Sequence, residues 1–323
     1  MHYFYLTILF VSISVVVSTG GDWQWSHPVP PGNVLHTVHV FYSLHILAMG
    51  DAGIMMQSSD FGQYWQPHYD KNITKNIYGS HFFNRLKGIL IGEDGMIALT
   101  KDGGNSWQPV NSGIKETLHD VMFNDSNYGI AVGINGVIIQ TDNGGTTWNR
   151  IKIPNNNTLY SVHALNRSSF IAVGDSGTII STQKFGKTWK INQHTETGNL
   201  NSVFFVSRSK GFISGDKGLL LTTENGGVSW SKRTVGMERN LYEIYFCDSR
   251  TGYIAGAGGI IVTTTDGGKS WHNKFATNVK DNYAAHALSS QYVCLAGDAG
   301  RLTVTIKNKA GIGYRSKMNK IVF

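Results

Sequence analysis

A 41-residue repeat constrains this chain of 323 residues more than any other feature. Six tryptophans follow one another at spacings of 42, 41, 41, 41 and 41 residues: Trp65, Trp107, Trp148, Trp189, Trp230 and Trp271. Seven Gly-x-x-Gly segments keep the same spacing, and they begin at Gly50, Gly92, Gly133, Gly174, Gly215, Gly256 and Gly297. Two independent markers that stay in register over most of the chain indicate a repeat architecture.

One copy of the repeat, from Thr158 to Gln193, shows what each unit encodes. Apolar segments at 159–165, 170–173 and 178–181 read as short strands, and Trp189 opens a fourth. Gly174 and Gly177 enclose a tight turn that needs a positive φ, which glycine adopts at low cost. Four antiparallel strands per 41 residues are typical of one propeller blade. We therefore predict an all-β, seven-bladed β-propeller with no helix in the mature chain.

The predicted domain organisation follows from the repeat. Residues 1–20 resemble a signal peptide, because an apolar run at 4–17 precedes small residues and is short for a membrane span. The segment before the run lacks Lys and Arg, so a retained anchor is the alternative. Blades are predicted to begin near residues 34, 76, 117, 158, 199, 240 and 281, within a propeller of 34–309 and before a tail of 310–323. We expect a secreted or periplasmic monomer without a stable membrane span.

The seventh copy has its Gly-x-x-Gly turn but lacks the tryptophan that follows in the other six. Residues 21–33 contain Trp23 and Trp25 and precede the first blade as those tryptophans precede the next one. An open sheet edge is an aggregation liability, so we predict that this N-terminal segment supplies the missing strand. The alternatives are a three-stranded last blade and closure by the tail at 312–323.

Each of the six tryptophans ends a segment that follows the pattern Ser/Thr-x-Asp-x-Gly-x-Ser/Thr-Trp, with Asn or Lys at the Asp position in three copies and Tyr64 at the second Ser/Thr position in the first. An Asp or Asn side chain accepts backbone N–H bonds within such a turn, and the tryptophan ring is expected to pack between blades. The fourth segment has Lys184, which cannot accept, so its turn should be the least well held. The predicted structural residues are Asp60, Trp65, Asp102, Trp107, Asn143, Trp148, Trp189, Asn225, Trp230, Asp266 and Trp271.

These segments resemble the Asp-box, or bacterial neuraminidase repeat. The whole unit is similar to the propeller family of photosystem II stability and assembly factors and their secreted bacterial relatives, as is the segment 23–33. The resemblance implies a non-catalytic scaffold that binds a partner protein outside the cytoplasm, in the thylakoid lumen if the source is photosynthetic. Asp-boxes also occur in sialidases, glycosidases and sortilin-type receptors, so a glycan-binding or carbohydrate-active propeller is the alternative.

The sequence contains no complete enzyme motif. The Arg-Ile-Pro segment of sialidases is absent. Asp120 and Glu243 each stand third in an innermost strand and could line one channel, where glycosidases place two carboxyl groups. We interpret them as solvated channel residues, and we predict neither a catalytic residue nor a cofactor.

One position of the innermost strand contains four histidines among seven residues: His39, His81, Met122, His163, Phe204, Tyr245 and His286. Metal ligation needs donor atoms about 2.1 Å from the ion, and equivalent residues of adjacent blades do not converge so closely. We therefore predict packing between blades and no metal site. Cys247 and Cys294 are predicted to be buried free thiols.

Charged residues separate onto two predicted faces. The acidic face consists of the Gly-x-x-Gly turns, with Asp51, Glu93, Asp94, Asp175, Asp216 and Asp298. The basic face consists of the turns between the first and second strands, with Arg85, Lys87, Arg167, Arg208, Lys210 and Arg250. The net charge of +7 includes no long Lys/Arg run, which argues against nucleic acid. We hypothesise that the basic face binds a protein partner, with a glycan as the alternative.

Overall fold

The computed structural model describes residues 23–25, 32–41, 45–166, 168–183, 186–193, 198–275, 280–289 and 292–305. The predicted signal peptide and C-terminal tail, as well as Arg167 and Lys184, lie outside the described residues.

Seven four-stranded antiparallel sheets form a β-propeller, as predicted. The first blade contains β2 (Leu35–Val40), β3 (Ile46–Gly50), β4 (Met55–Ser58) and β5 (Gln66–His68). The second contains β6 (Ile77–Phe82), β7 (Gly88–Gly92), β8 (Ile97–Thr100) and β9 (Gln108–Val110). The third contains β10 (Leu118–Phe123), β11 (Gly129–Gly133), β12 (Ile138–Thr141) and β13 (Asn149–Ile151). The fourth blade contains β14 (Leu159–Asn166), β15 (Ser169–Gly174), β16 (Thr178–Gln183) and β17 (Thr188–Gln193). The fifth contains β18 (Leu200–Phe205), β19 (Gly211–Gly215), β20 (Leu219–Thr223) and β21 (Ser231–Thr234). The sixth contains β22 (Leu241–Phe246), β23 (Gly252–Gly256), β24 (Ile260–Thr264) and β25 (His272–Phe275).

The last sheet combines the two ends of the described chain. It contains β26 (Asn282–Ser289), β27 (Tyr292–Gly297) and β28 (Leu302–Thr305), and its fourth strand is β1 (Trp23–Trp25). β1 runs antiparallel to β28, with Trp23 opposite Thr305 and Trp25 opposite Thr303. That this strand holds the ring closed stays a prediction, which removal of the strand can test.

The two glycines of each Gly-x-x-Gly turn serve different purposes. The first has an extended backbone, and a Cβ at Gly174 would lie 1.9 Å from the carbonyl oxygen of Thr158. The last has a positive φ, 71° at Gly177. The expected need for a positive φ therefore applies to the last glycine, whereas the first permits close approach of two backbones. Between them lie the only helical turns of the described residues, three residues each: Asp51–Gly53, Glu93–Gly95, Ile134–Gly136, Asp175–Gly177, Asp216–Gly218, Ala257–Gly259 and Asp298–Gly300.

The hydrophobic core lies between neighbouring blades. Trp148 of the third blade, for example, packs in one cluster with Ile89 and Ile97 of the second. Trp65 and Trp107 are also buried. The predicted packing of the Asp-box tryptophans between blades is confirmed for these positions, and it explains why strands are apolar on both faces.

The first residue of the innermost strand departs from the repeat in the last blade. Six copies have Leu or Ile there, whereas the seventh has Asn282, which is 0% exposed. Neither its amide oxygen nor its amide nitrogen has a hydrogen-bond partner among the described residues. A buried polar group without a partner destabilises the folded state by about 1–3 kcal/mol.

We therefore expect Asn282→Leu to raise the free energy of unfolding by about 1–3 kcal/mol, because the substitution removes an unpaired amide and restores the residue of the repeat. Urea denaturation measures the difference. The matched control is Leu241→Asn at the equivalent position, which should lose stability. A loss of stability in Asn282→Leu would instead show that the amide is satisfied, for instance by a buried water.

Candidate functional site

The innermost strands of the seven blades enclose a central channel with a volume of about 640 Å³. Each strand starts after the connection from the preceding blade and ends at the turn to its second strand. Its second, third and fifth residues therefore form three successive rings, which run from the acidic face toward the basic face.

The first ring, here termed the collar, consists of His36, Tyr78, His119, Tyr160, Asn201, Tyr242 and Tyr283. Its aromatic side chains pack against one another between adjacent blades. The ring centroids of His36 and Tyr78 are 4.9 Å apart, and those of Tyr242 and Tyr283 are 5.0 Å apart. Sequence reasoning missed the collar, although the second residue of the innermost strand is polar or aromatic in all seven copies.

Carboxylates of the Gly-x-x-Gly turns hold the collar in place. His36 Nε2 donates to Asp51 (2.8 Å), and Tyr160 donates to Asp175 (2.6 Å). Asn201 donates in the same way to Asp216, at 3.2 Å. These three predicted acidic-face residues are half-buried and support collar side chains, so they are not simply surface charges.

The remaining predicted acidic residues differ in their surroundings. Glu93 accepts a long bond from the backbone of Asn76 (3.4 Å), and Asp298 accepts one from the backbone of Asp281 (3.4 Å). Asp94 is exposed and pairs with Lys75 at 2.8 Å.

A further carboxylate, Asp281, was not among the predicted residues. It accepts a hydrogen bond from Tyr242 at 3.0 Å. Burial and this carboxylate raise the pKa of Tyr242 to about 12, so its hydroxyl keeps its proton. Asp281 precedes the innermost strand and is not part of a Gly-x-x-Gly turn, which is why the motif did not reveal it.

The middle ring consists of Thr37, Gly79, Asp120, Ser161, Ser202, Glu243 and Ala284. Several of its members accept a backbone N–H from the next blade. Asp120 accepts from Val162 at 2.8 Å, and Ser161 accepts from Val203 at 3.3 Å. Ser202 extends the pattern by accepting from Ile244 at 3.2 Å. The middle ring therefore connects consecutive blades along the channel.

Asp120 and Glu243 both line the channel, as expected from their positions. Asp120 is also held by the protein, because its two oxygens accept the amides of Val121 (2.7 Å) and Val162 (2.8 Å). Burial raises the pKa of Asp120 to about 6. Burial and the charge of Asp120 raise the pKa of Glu243 well above its usual range.

The lower ring is the histidine-rich position: His39, His81, Met122, His163, Phe204, Tyr245 and His286. Its rings pack against those of adjacent blades, with centroids 5.2 Å apart for His39 and His286 and 4.8 Å for His163 and Phe204. These contacts support the packing interpretation. Within the described part of the chain, no group of three His, Cys, Asp or Glu residues is arranged to hold a metal ion.

Burial keeps the lower-ring histidines uncharged. It lowers the pKa of His39 and His163 to about 4, and that of His81 and His286 to about 3. Hydrogen bonds from His39 Nε2 to the backbone oxygen of Ser80 (3.2 Å) only partly oppose the effect. The lower ring is therefore neutral at pH 7, in contrast to the carboxylates around the collar.

The Asp-boxes form the predicted local hydrogen bonds. In the second blade Thr100 accepts the amide of Gly104 at 2.9 Å, and Asp102 accepts that of Ser106 at 2.9 Å. Thr182 of the fourth blade instead donates to the backbone oxygen of Thr188 (2.8 Å), in the copy that contains Lys184.

The boxes also hold the turns that form the basic face. The box amide of Gly103 donates to Leu86 (2.9 Å), and that of Gly267 donates to Arg250 (2.8 Å). Boxes and first-to-second-strand turns therefore share one end of the propeller, as predicted, while the Gly-x-x-Gly turns contact the inter-blade connections at the other.

The structure places the described basic-face residues on exposed turns. Arg85, Lys87, Arg208 and Arg250 are exposed, whereas Lys210 is half-buried and pairs with Glu224 at 3.2 Å. Among the described residues, Arg85, Arg208 and Arg250 make no ion pair. Their charges are therefore available to a partner.

Two other expectations concern thiols and membrane spans. Cys247 and Cys294 are both free, but only Cys294 is fully buried. Of the residues that the structure describes, no helix is both long and apolar enough to span a bilayer.

The fold and the box hydrogen bonds define an Asp-box β-propeller with seven blades. The chain belongs to the family described as photosynthesis system II assembly factor YCF48, whose model matches residues 99–166, 154–224 and 223–302. Comparison with curated protein sequences found no match.

Solved propellers share the fold at low sequence identity. YCF48 bound to a D1 peptide has a TM-score of 0.74 and 16% identity over 89% of this chain and 98% of that one. YCF48 from Cyanidioschyzon merolae has a TM-score of 0.73 and 18% identity, over 88% and 99%. The WD40 β-propeller domain of Doa1 has a TM-score of 0.71 and 13% identity, over 89% and 97%. The architecture is thus shared beyond the family.

Proposed function

We propose that this protein is a non-catalytic scaffold outside the cytoplasm that binds an acidic segment of a partner protein through its basic face. The observation that carries the proposal is the set of exposed arginines, Arg85, Arg208 and Arg250, on turns of three blades. Family membership supports a protein-binding role, since a propeller of the same fold has been solved as YCF48 bound to a D1 peptide. The predicted signal peptide supports the location.

Rigid turns favour binding by these arginines. The boxes hold the turn backbone through bonds such as that from Gly226 to Ser209 (2.8 Å), so only the side chains need to be ordered when a partner binds. A guanidinium group presents paired donors to a carboxylate, which gives directional recognition of Asp or Glu. An acidic peptide that spans several blades is therefore the favoured occupant.

Two observations support a role without catalysis. Glycoside hydrolysis uses two carboxyl groups that exchange protons or bonds with the substrate. Asp120 instead accepts two backbone amides, that of the adjacent Val121 and that of Val162, which joins the third blade to the fourth. Glu243, the other channel carboxyl, then lacks a free partner for this chemistry.

Charge reversal on the basic face tests the proposal. The triple variant Arg85→Glu, Arg208→Glu and Arg250→Glu should reduce crosslinked capture of the partner from the native host by at least about tenfold, because attraction to acidic groups becomes repulsion. The control reverses three exposed charges at the other end, Lys217, Arg239 and Lys280, with the same change in net charge.

The two variants separate the possible outcomes. Loss of capture in the basic-face variant alone supports the proposal. Unchanged capture in that variant excludes the basic face as the site. Capture of a glycoconjugate that survives removal of its protein would instead favour the glycan-binding alternative.

A further inference from the structure

The charges around the central channel differ between its two ends, and the basic face accounts for only one of them. Carboxylates of Asp51, Asp175, Asp216 and Asp281 surround the collar at the acidic end and bond to its side chains. The opposite end opens among the basic-face turns, and the lower ring in between is neutral. A positively charged molecule is therefore attracted to the collar and repelled from the other end.

Positive groups near the collar do not cancel this difference in charge between the two ends of the channel. Lys75 is paired with Asp94 at 2.8 Å. Arg301 is buried and donates to the backbone oxygen of Lys280 at 3.1 Å. Lys217 and Arg239 are exposed. None of these four side chains lines the channel.

Inside the collar, the middle ring contains two carboxyl groups from blades on different sides of the channel. Glu243 occupies the position of Ser161 and Ser202 in the two preceding blades, and its longer side chain extends further from the strand. Asp120 belongs to the third blade and Glu243 to the sixth, and the charge of Asp120 contributes to the raised pKa of Glu243. The volume of about 640 Å³ is within the range of small-ligand sites.

We propose that the channel binds a slender organic cation, an alkylammonium group, which enters through the collar and is held at Glu243, across the channel from Asp120. An ammonium group has three donors and needs carboxylate or hydroxyl acceptors, which Glu243 and the collar tyrosines provide. Aromatic rings favour both the charge and the methylene chain that follows it. A metal ion fits less well, because the described channel residues form no cluster of three ligands.

Binding should release a proton. Burial and the charge of Asp120 favour the protonated form of Glu243 in the free protein, whereas a neighbouring ammonium charge favours its carboxylate form. The proton leaves the Glu243 carboxyl for solvent while the ammonium group keeps its own. The other titratable groups that line the channel are Asp120, the tyrosines Tyr78, Tyr160, Tyr242, Tyr245 and Tyr283, and the histidines His36, His39, His81, His119, His163 and His286. The four histidines of the lower ring are already neutral and take no part in this release.

Two sources could supply the same chemistry, a free polyamine or a lysine side chain of a protein. Calorimetric titration of the full chain with 1,5-diaminopentane and with a short peptide ending in lysine distinguishes them. 1,5-Pentanediol, which has the same length but no charge, should not bind. Repeating the amine titration in phosphate and in Tris at pH 7 should give different heats, because the proton that binding releases is taken up by buffers of different ionisation enthalpy.

Two variants of Glu243 test the site itself. Glu243→Gln keeps the size, and Glu243→Ser restores the residue of neighbouring blades, so folding of at least one is favoured. Both should weaken amine binding at least about tenfold and abolish the buffer dependence. The control Asp142→Asn makes the same change from acid to amide at an exposed box residue and should change affinity less than about twofold.

The proposal is overturned if the wild-type protein binds neither amine, or if both Glu243 variants bind as the wild type does. It is supported if either amine binds with the predicted loss in the variants, and the amine that binds identifies the source. Partner capture by the basic face should be unaffected by Glu243→Gln. Failure of this proposal is therefore distinguishable from failure of the proposed function.

Discussion

Unfolding of this protein at pH 5–6 is expected to be accompanied by a net uptake of about two protons, because the unfolded chain binds more protons than the folded chain. The source is the lower ring, whose four histidines have pKa values of about 3 to 4 when folded, against about 6.5 when unfolded. Well above pH 6.5 these histidines are neutral in both states, so their contribution to stability is complete. As the pH falls toward 4, the unfolded chain binds protons that the folded chain excludes, and stability is lost.

The buried carboxyl groups of the channel oppose this effect. Asp120, with a pKa of about 6, stays protonated in the folded chain near pH 5, where the unfolded chain has released its proton. It offsets roughly one of the roughly three to four protons that the histidines contribute near pH 5, and the raised pKa of Glu243 acts in the same direction. About two remaining protons correspond to a slope of about 3 kcal/mol per pH unit in the free energy of unfolding.

Two histidine substitutions should reduce that slope. His81→Phe introduces the residue type that the fifth blade has at this position, Phe204. His163→Met introduces the residue type that the third blade has there, Met122. Each variant should remove about one proton from the uptake, as measured by urea denaturation between pH 4.5 and 7.5. The control is His272→Gln, an exposed histidine on a fourth strand. An unchanged slope in both ring variants would show that the ring histidines titrate normally in the folded chain.

Removal of β1 is expected to lower the melting temperature by roughly 5–10 °C and to promote aggregation. β1 pairs with all but the first residue of β28, and its loss exposes the backbone groups of Thr303, Val304 and Thr305 as a sheet edge. A few lost hydrogen bonds at about 1 kcal/mol each, and about 2–4 °C for each kcal/mol in a chain of this size, give that range.

The comparison is between chains that begin at residue 21 and at residue 34, monitored by thermal unfolding and light scattering. A peptide of residues 22–33 added to the shorter chain should recover part of the lost stability, since the pairing does not require a covalent link. The matched control removes residues 312–323, which would close the ring under the alternative interpretation. Equal stability of the two N-terminal forms, or a larger loss in the C-terminal truncation, would contradict closure by β1.

The sequence predicted the blade architecture well because the same local pattern of strands and turns occurs in seven copies. Each innermost strand begins one residue after its predicted blade start, and the Asp-boxes and Gly-x-x-Gly turns lie at opposite ends as expected. The channel was predicted less completely. Asp120 and Glu243 were located correctly, but the collar was missed because tyrosine and histidine on a strand are as compatible with blade packing as with a channel.

The amino-acid sequence by itself determined the number of blades, their strand order and the end at which each kind of turn lies, because these depend on patterns within 41 residues. Only the tertiary structure decided what the polar residues do. The collar bonds join residues 15 or more positions apart, and the amide that Asp120 holds belongs to Val162 in the next blade. Such contacts depend on how closely neighbouring sheets approach, so the environment of the channel carboxyls, and with it their protonation, arises only when the ring of blades is assembled.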